Sequence, residues 1–283
     1  MSALLVDPFS LPFMARALIE LCILGVLGGV VSAFVLLRKL AFAADTLTHT
    51  VFPGVVIGFV VAGEGGIFVG ALIAGVLTAV ALTVLTAARR VSSDAALAVL
   101  LTAMFSIGVV VVSRQTEYTS DLTTFLFGHV LTVSARQLVE TAVVAAIVVL
   151  VLAIIGKELV FRSFDAEGAR AAGYPVGVLD LILNVIVALV VVAAVQAVGT
   201  ILVIALLVVP AATARLISDR LSLVVAIGCV VGVAGGYAGL VTSYGASVFG
   251  GVRLSSGATV VLALVVAYVL ALAYAGVRRV VTR

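Results

Sequence analysis

Asp45 and His49 are among the few ionisable side chains inside the apolar segments of this chain, in the stretch AADTLTHTVFPG from Ala43 to Gly54. If that stretch is helical, their i,i+4 spacing puts both on one face. Ionisable groups in a hydrocarbon setting are expensive, and they usually face a pathway or bind something. A carboxylate oxygen and an imidazole nitrogen are donors that suit Zn²⁺, Mn²⁺ and Fe²⁺. The spacing alone is open to three chemistries: contact with a divalent metal, a proton relay, and a buried Asp–His hydrogen bond. Two ligands hold a metal weakly, which suits an ion that must leave again. For a helix beginning around Arg38, a rise of 1.5 Å per residue puts Asp45 roughly 10 Å in and His49 roughly 16 Å in.

Other polar groups stand at the ends of apolar segments. Glu20 lies near the start of the first and Glu140 near the start of the fifth. Asp180 and Asn184 share a face of the sixth by the same spacing, and Gln196 closes it. Glu20 is the candidate accessory anion of a pathway. Asp180 and Asn184 read more simply as bonds between helices, and His129 as a structural histidine. No Walker motif, H-E-x-x-H or supported nucleophile is present, which disfavours an enzyme.

These residues must be positioned by membrane helices. The 283 residues are 64% hydrophobic and 10% charged, with a mean hydropathy of +1.42. Soluble domains carry about 25% charge, so the expected fold is an all-α, polytopic helical membrane protein. Nine apolar segments are read at 17–37, 42–62, 66–88, 93–113, 137–156, 177–197, 199–214, 221–241 and 256–277. Most reach the about 20 residues that a span needs; eight spans result if one segment is re-entrant or merged. Pro53 and Gly54 predict a kink or break in the second. Met1 to Pro12 has no basic cluster, and the first run is too long for the apolar part of a signal peptide. It is read as a retained span.

Twelve of the sixteen basic residues follow odd-numbered segments, from Arg38 and Lys39 through Lys157, Arg162 and Arg170 to Arg278, Arg279 and Arg283. The positive-inside rule then puts the N-terminus outside and the C-terminus in the cytoplasm. The net charge of +3 reflects topology rather than nucleic-acid binding. Cys22 and Cys229 stand alone in apolar sequence and form no CxxC site. No soluble region is large enough for a nucleotide-binding domain. The longest cytoplasmic connection, 156–175, has the charge pattern of an interfacial helix. Ser163 is its expected cap, and the segment is a candidate docking surface for a cytoplasmic partner. On the opposite side, 115–131 is expected to dip into the bundle or lie across its mouth.

With these residues in place, the sequence resembles the manganese/zinc/iron permease family of bacterial ABC importers. AADTLTHTVFPG is similar to that family's glycine-aspartate-x-x-serine-histidine-alanine stretch with its following proline-glycine. FLFGHVL (125–131), FDAEGARAAGYP (164–175) and GTILVIALLVVPAATARL (199–216) resemble further family segments in the same order. The resemblance implies one transmembrane permease domain over 1–283 and a coupling segment at 156–175. It also implies pairing with a second copy or a homologous permease in the bacterial plasma membrane. Two cytoplasmic ATP-binding subunits would power it, and an extracytoplasmic metal-binding protein would load it. Asp45 and His49 take the metal-contact positions; Asp165, Glu167 and Gly173 fall in the ATPase-docking segment. No prosthetic group is implied: the metal is cargo, and ATP belongs to the partners.

The sequence departs from the pattern at Ala44 for glycine, Thr48 for serine and Thr50 for alanine. Arg253 and Leu254 stand where related chains often carry an acidic residue. The absence of a His-rich outer loop and of a nearby Cys favours manganese as cargo, with zinc and iron as alternatives. A secondary carrier or channel without an ATPase partner is the reading from a different class.

Overall fold

The computed structural model describes residues 7–87, 92–113, 128, 130–252 and 254–281. The helices are α1 (Pro12–Leu37), α2 (Ala41–Thr50), α3 (Phe52–Ala62), α4 (Glu64–Ala87), α5 (Ser93–Val112), α6 (Ala135–Phe164), α7 (Ala166–Ala171), α8 (Val176–Val198), α9 (Thr200–Ile217), α10 (Leu221–Gly250) and α11 (Ser256–Val281). Among the described residues nine helical spans are long and apolar enough to cross a bilayer, α2 and α3 together making the second. The nine apolar segments of the sequence are therefore all helical. Asp180 joins Arg38 to Arg162, and the pairing of Gly25 with Gly232 and of Gly29 with Gly228 runs α10 antiparallel to α1, so Arg38, Lys39, Arg162, Arg170, Arg215 and Arg220 share one end of the bundle, the basic face.

Helix ends follow capping chemistry more closely than hydropathy. Ser134 and Gln137 form a reciprocal capping box at the start of α6, and Ser92 accepts the Ala95 N–H at the start of α5. The fifth span, read as 137–156, extends over Ala135–Phe164, and the eighth, read as 221–241, over Leu221–Gly250. Thirty residues make about 45 Å of helix, against about 30 Å of hydrocarbon. Each of these helices therefore has room to stand proud of the apolar layer.

Within the bundle α1 packs against α10, α9 and α6, and α8 against α4 and α6. The bulk of the core is one cluster that includes Leu27, Leu47, Val51, Leu183, Val191 and Leu202. Two-thirds of the apolar window (67%) is buried in α1, in α2–α3 and in α8, against 17% in α11. The second span is thus an interior element. Glycines set the closest approaches, as expected where small residues replace the hydrophobic effect as the means of packing in lipid. Gly25 and Gly29 of α1 meet Gly232 and Gly228 of α10, and a Cβ at Gly25 would lie 2.8 Å from the Gly232 carbonyl carbon. Gly54 and Gly58 of α3 interlock in the same way with Gly70 and Gly66 of α4.

Candidate functional site

The helix carrying Asp45 and His49 starts later than the sequence suggests. After Leu37 the chain makes a tight turn: Lys39 N–H bonds the Leu36 carbonyl and Leu40 N–H the Val35 carbonyl. This is the paired bonding of a Schellman termination. Lys39 takes the left-handed position at φ 54°. α2 then begins at Ala41, so a rise of 1.5 Å per residue puts Asp45 about 6 Å and His49 about 12 Å along it. These replace the deeper values reckoned from Arg38.

Between Ala43 and Thr50 every side chain is buried except two, Asp45 and His49. Their side chains remain 39% and 32% exposed, and His49 Nε2 lies 3.9 Å from Asp45 Oδ1. That separation is too long for a hydrogen bond, so the pair is not a closed, buried Asp–His bond. The hydroxyls beside it do not compete for these groups: Thr48 Oγ1 donates to the Asp45 carbonyl at 2.7 Å and Thr50 Oγ1 to the Leu47 carbonyl at 3.3 Å. The His49 ring meets Phe105 of α5 edge-on, with centroids 6.4 Å apart, and Phe105 in turn packs on Phe52.

The expected interruption follows at once. Val51 separates α2 from α3, and Pro53 lies in the first turn of α3. Proline has no N–H, so it gives nothing to the carbonyl four residues back, which is that of His49. The Val51 N–H is directed at the Leu47 and His49 carbonyls. Among the described residues no third His, Cys, Asp or Glu joins the pair to make a metal-sized group.

Glu20, the accessory candidate, is not brought to Asp45 and His49 as a third ligand. It is fully buried in α1, where Thr141 of α6 donates to its Oε1 at 2.8 Å while Oε2 has no partner among the described residues. His129 and Arg253 lie outside the described residues, as does most of 115–131.

The 156–175 segment differs from its reading in one respect. Ser163 caps nothing: it sits inside α6, and its hydroxyl donates to the Leu159 carbonyl at 2.6 Å. The cap of α7 is Asp165, whose Oδ1 accepts the N–H groups of Glu167 at 3.1 Å and Gly168 at 2.8 Å. Gly173 ends the same short helix with φ 87°. Tyr174 N–H reaches the Ala169 carbonyl and Gly173 N–H the Arg170 carbonyl, a second Schellman turn. Phe164, Asp165, Glu167 and Tyr174 are exposed around it.

Asp180 and Asn184 do bond across helices. Asp180 Oδ1 receives Arg38 Nη2 at 2.7 Å and Oδ2 receives Arg162 Nη2 at 2.8 Å. Asn184 Nδ2 donates to Thr83 Oγ1 at 3.0 Å. A cavity of about 280 Å³ adjoins this cluster at the basic face. At the other end of the bundle Arg136 pairs with Glu140 at 2.8 Å, beside a cavity of about 340 Å³ that Glu64, Gln137 and Gln196 also line. Sequence spacing shows that Asp180 and Asn184 share a face, but it carries no signal for the arginines that meet Asp180.

Against known proteins, residues 10–275 match the family described as the ABC 3 transport family. The chain belongs to that family. Its ABC 3 membership bears out the family resemblance of the motifs and fixes the protein as multi-pass in a membrane. The chain is 34% identical over 274 residues to the manganese transport system membrane protein MntC of Halalkalibacterium halodurans, covering 97% of this chain and 91% of that one. It is 33% identical over 237 residues to the chelated iron transport system membrane protein YfeD of Yersinia pestis, covering 81% and 79%. Among solved structures, PsaBC from Streptococcus pneumoniae in complex with Fab superposes with a TM-score of 0.82 at 30% identity, over 96% of this chain and 95% of that one.

Proposed function

We propose that this chain is the membrane permease of an ATP-driven importer for a divalent transition metal, with manganese as the favoured cargo. One observation carries the reading. α2 is closed by packing on every side except the stripe that holds a carboxylate and an imidazole. Similarity to relatives named for manganese and for chelated iron transport supports metal as the substrate. The iron relative keeps iron open as a second cargo; zinc fits the donor types.

The whole chain acts as a transmembrane permease domain, with its N-terminus outside and its C-terminus in the cytoplasm of a bacterial plasma membrane. It pairs with a second copy or with a homologous permease. Pairing across the open face of α2 would raise the donor set from one carboxylate and one imidazole to two of each. A four-ligand set of that composition suits a borderline divalent ion. An extracytoplasmic binding protein delivers the metal. Two cytoplasmic ATP-binding subunits dock on 156–175 and supply the energy, while this chain hydrolyses nothing. Asp165 and Gly173 define the two ends of the docking helix, and Glu167 lies exposed in its first turn.

Uptake of radioactive manganese by cells carrying D45A or H49A tests the reading, with zinc and iron as competitors. Loss of at least tenfold in uptake at unchanged membrane abundance is the expected result. Undiminished uptake in both variants rejects the pathway role, and stronger competition by iron or zinc reassigns the cargo.

A further inference from the structure

The Arg38–Asp180–Arg162 cluster has no place in metal contact, and Arg162, though within 156–175, turns its mostly buried side chain onto Asp180; the cluster touches the roots of both. Arg162 sits on the last turn of α6, three residues before the α7 cap Asp165, and Asp180 sits in the first turns of α8, just after the segment ends. Their ion pair at 2.8 Å therefore joins the two arms from which α7 hangs. Arg38 is the C-cap of α1, and the turn that follows it is fixed by the bond from Leu40 N–H to the Val35 carbonyl. Leu40 is in turn the residue from which α2 starts. Any displacement of Arg38 thus bears on the first turn of the helix that carries Asp45 and His49.

We infer that Asp180 is a positioning residue: by holding Arg162 and Arg38 together it transmits movement of the α7 docking segment to the foot of α2. This rests on the reading of 156–175 as the ATPase-docking element. The polar satisfaction of the cluster supports a working linkage over a passive brace. One carboxylate serves two guanidiniums, which leaves an excess positive charge, and Arg38 Nη1 and Arg162 Nε meet no acceptor among the described residues. A shared carboxylate with spare donors on both sides has more than one way to pair, as a two-state element requires. The adjoining 280 Å³ cavity, lined also by Thr83, Ser93 and Asn184, gives the guanidiniums space and acceptors for a second arrangement. Low exposure, 15% for Arg38, 17% for Arg162 and 24% for Asp180, keeps the pairing strong and little screened.

The experiment uses the complete transporter, with its ATP-binding subunits, in proteoliposomes supplied with manganese. Spin labels replace exposed Arg170 on α7 and exposed Phe42 on α2, each measured against a reference label at exposed Val230 on α10. Distances are recorded with and without ATP and vanadate, and metal transported per ATP is recorded in parallel. In Arg38→Gln the expected result is an unchanged shift at Arg170, a Phe42 shift reduced at least threefold, and at least a tenfold fall in metal moved per ATP. Arg38→Lys, which keeps a cation on Asp180, retains both responses, and Asp180→Asn behaves as Arg38→Gln. A Phe42 shift and a transport ratio that stay at wild-type values in both Arg38→Gln and Asp180→Asn overturn the inference alone. Loss of the Arg170 response in these variants also overturns it, because docking rather than transmission has then failed. An Arg170 distance that ignores ATP in the wild type defeats the docking reading itself, and the inference with it.

Discussion

Replacing Gly70 with alanine tests whether the α3–α4 contact is set by backbone. The added Cβ would fall on the Gly54 carbonyl oxygen, 2.9 Å from Gly58 Cα and 3.1 Å from the Gly54 carbonyl carbon. Every obstruction is main chain of the facing helix, so no side chain can swing aside and the two helices must part. Overfilling a packed interior costs about 1–3 kcal/mol, while exchanging glycine for alanine within a helix returns about 0.4–1 kcal/mol. The midpoints of the two ranges leave a net destabilisation of about 1.3 kcal/mol. Gly276→Ala is the matched control, because the same exchange in α11 meets nothing within 4 Å among the described residues and should be neutral or stabilising by up to about 1 kcal/mol. The assay is unfolding of the purified protein in detergent, by heat or by a denaturing surfactant. Opposite signs for the two variants are expected. If Gly70→Ala matches the wild type, or shifts in the same direction as Gly276→Ala, the close approach of α3 and α4 is not what holds this region.

Further expectations concern single contacts. Asp165→Ala removes the acceptor for two backbone N–H groups and should weaken α7 by about 1 kcal/mol. Asp165→Asn keeps a capping oxygen, so co-purification of the ATP-binding subunits with Asn but not Ala would assign the residue to helix shape, and loss with both would assign it to charge. Glu20→Gln retains an acceptor for the Thr141 hydroxyl and should leave uptake near wild type. Glu20→Ala strands that hydroxyl and should cost about 1–3 kcal/mol in unfolding measurements; a large uptake defect in the glutamine variant would instead make the carboxylate part of the route. Gly173→Ala forces a side chain into the left-handed region at φ 87° and should cost roughly 1–2 kcal/mol, visible as a lowered unfolding midpoint.

What the sequence discloses depends on whether the signal is local. The nine spans are legible because hydrophobic runs of span length have few other uses. The shared face of Asp45 and His49 is legible because i,i+4 spacing fixes it, and the break after them because Pro53 lacks a donor. Which side of α2 stays open is not legible, since burial of Thr46, Leu47 and Thr48 depends on helices far away in the chain. The same limit applies to Asp180, whose partner Arg38 is 142 residues distant, and to Glu20, whose partner Thr141 is 121 residues distant. Helical period names a face but never the neighbour that covers it. The misplaced cap has a nearer cause. Ser163 and Asp165 are both good N-caps by type, and the choice between them was made by α6 continuing to Phe164, with Ser163 bonded inside it.

The shared carboxylate of Asp180 also bears on how the chain is made. Arg38 and Arg162 precede it in synthesis, and each lies where a basic residue helps to retain a loop on its own side during insertion. Until the sixth span arrives neither cation has this carboxylate as a partner, and by the positive-inside rule both would serve as orientation signals. Asp180 then pairs with both, leaving one positive charge in excess, and residues suited to sorting the nascent chain become struts of the finished bundle. Moving that aspartate earlier in the sequence would set the two tasks against each other.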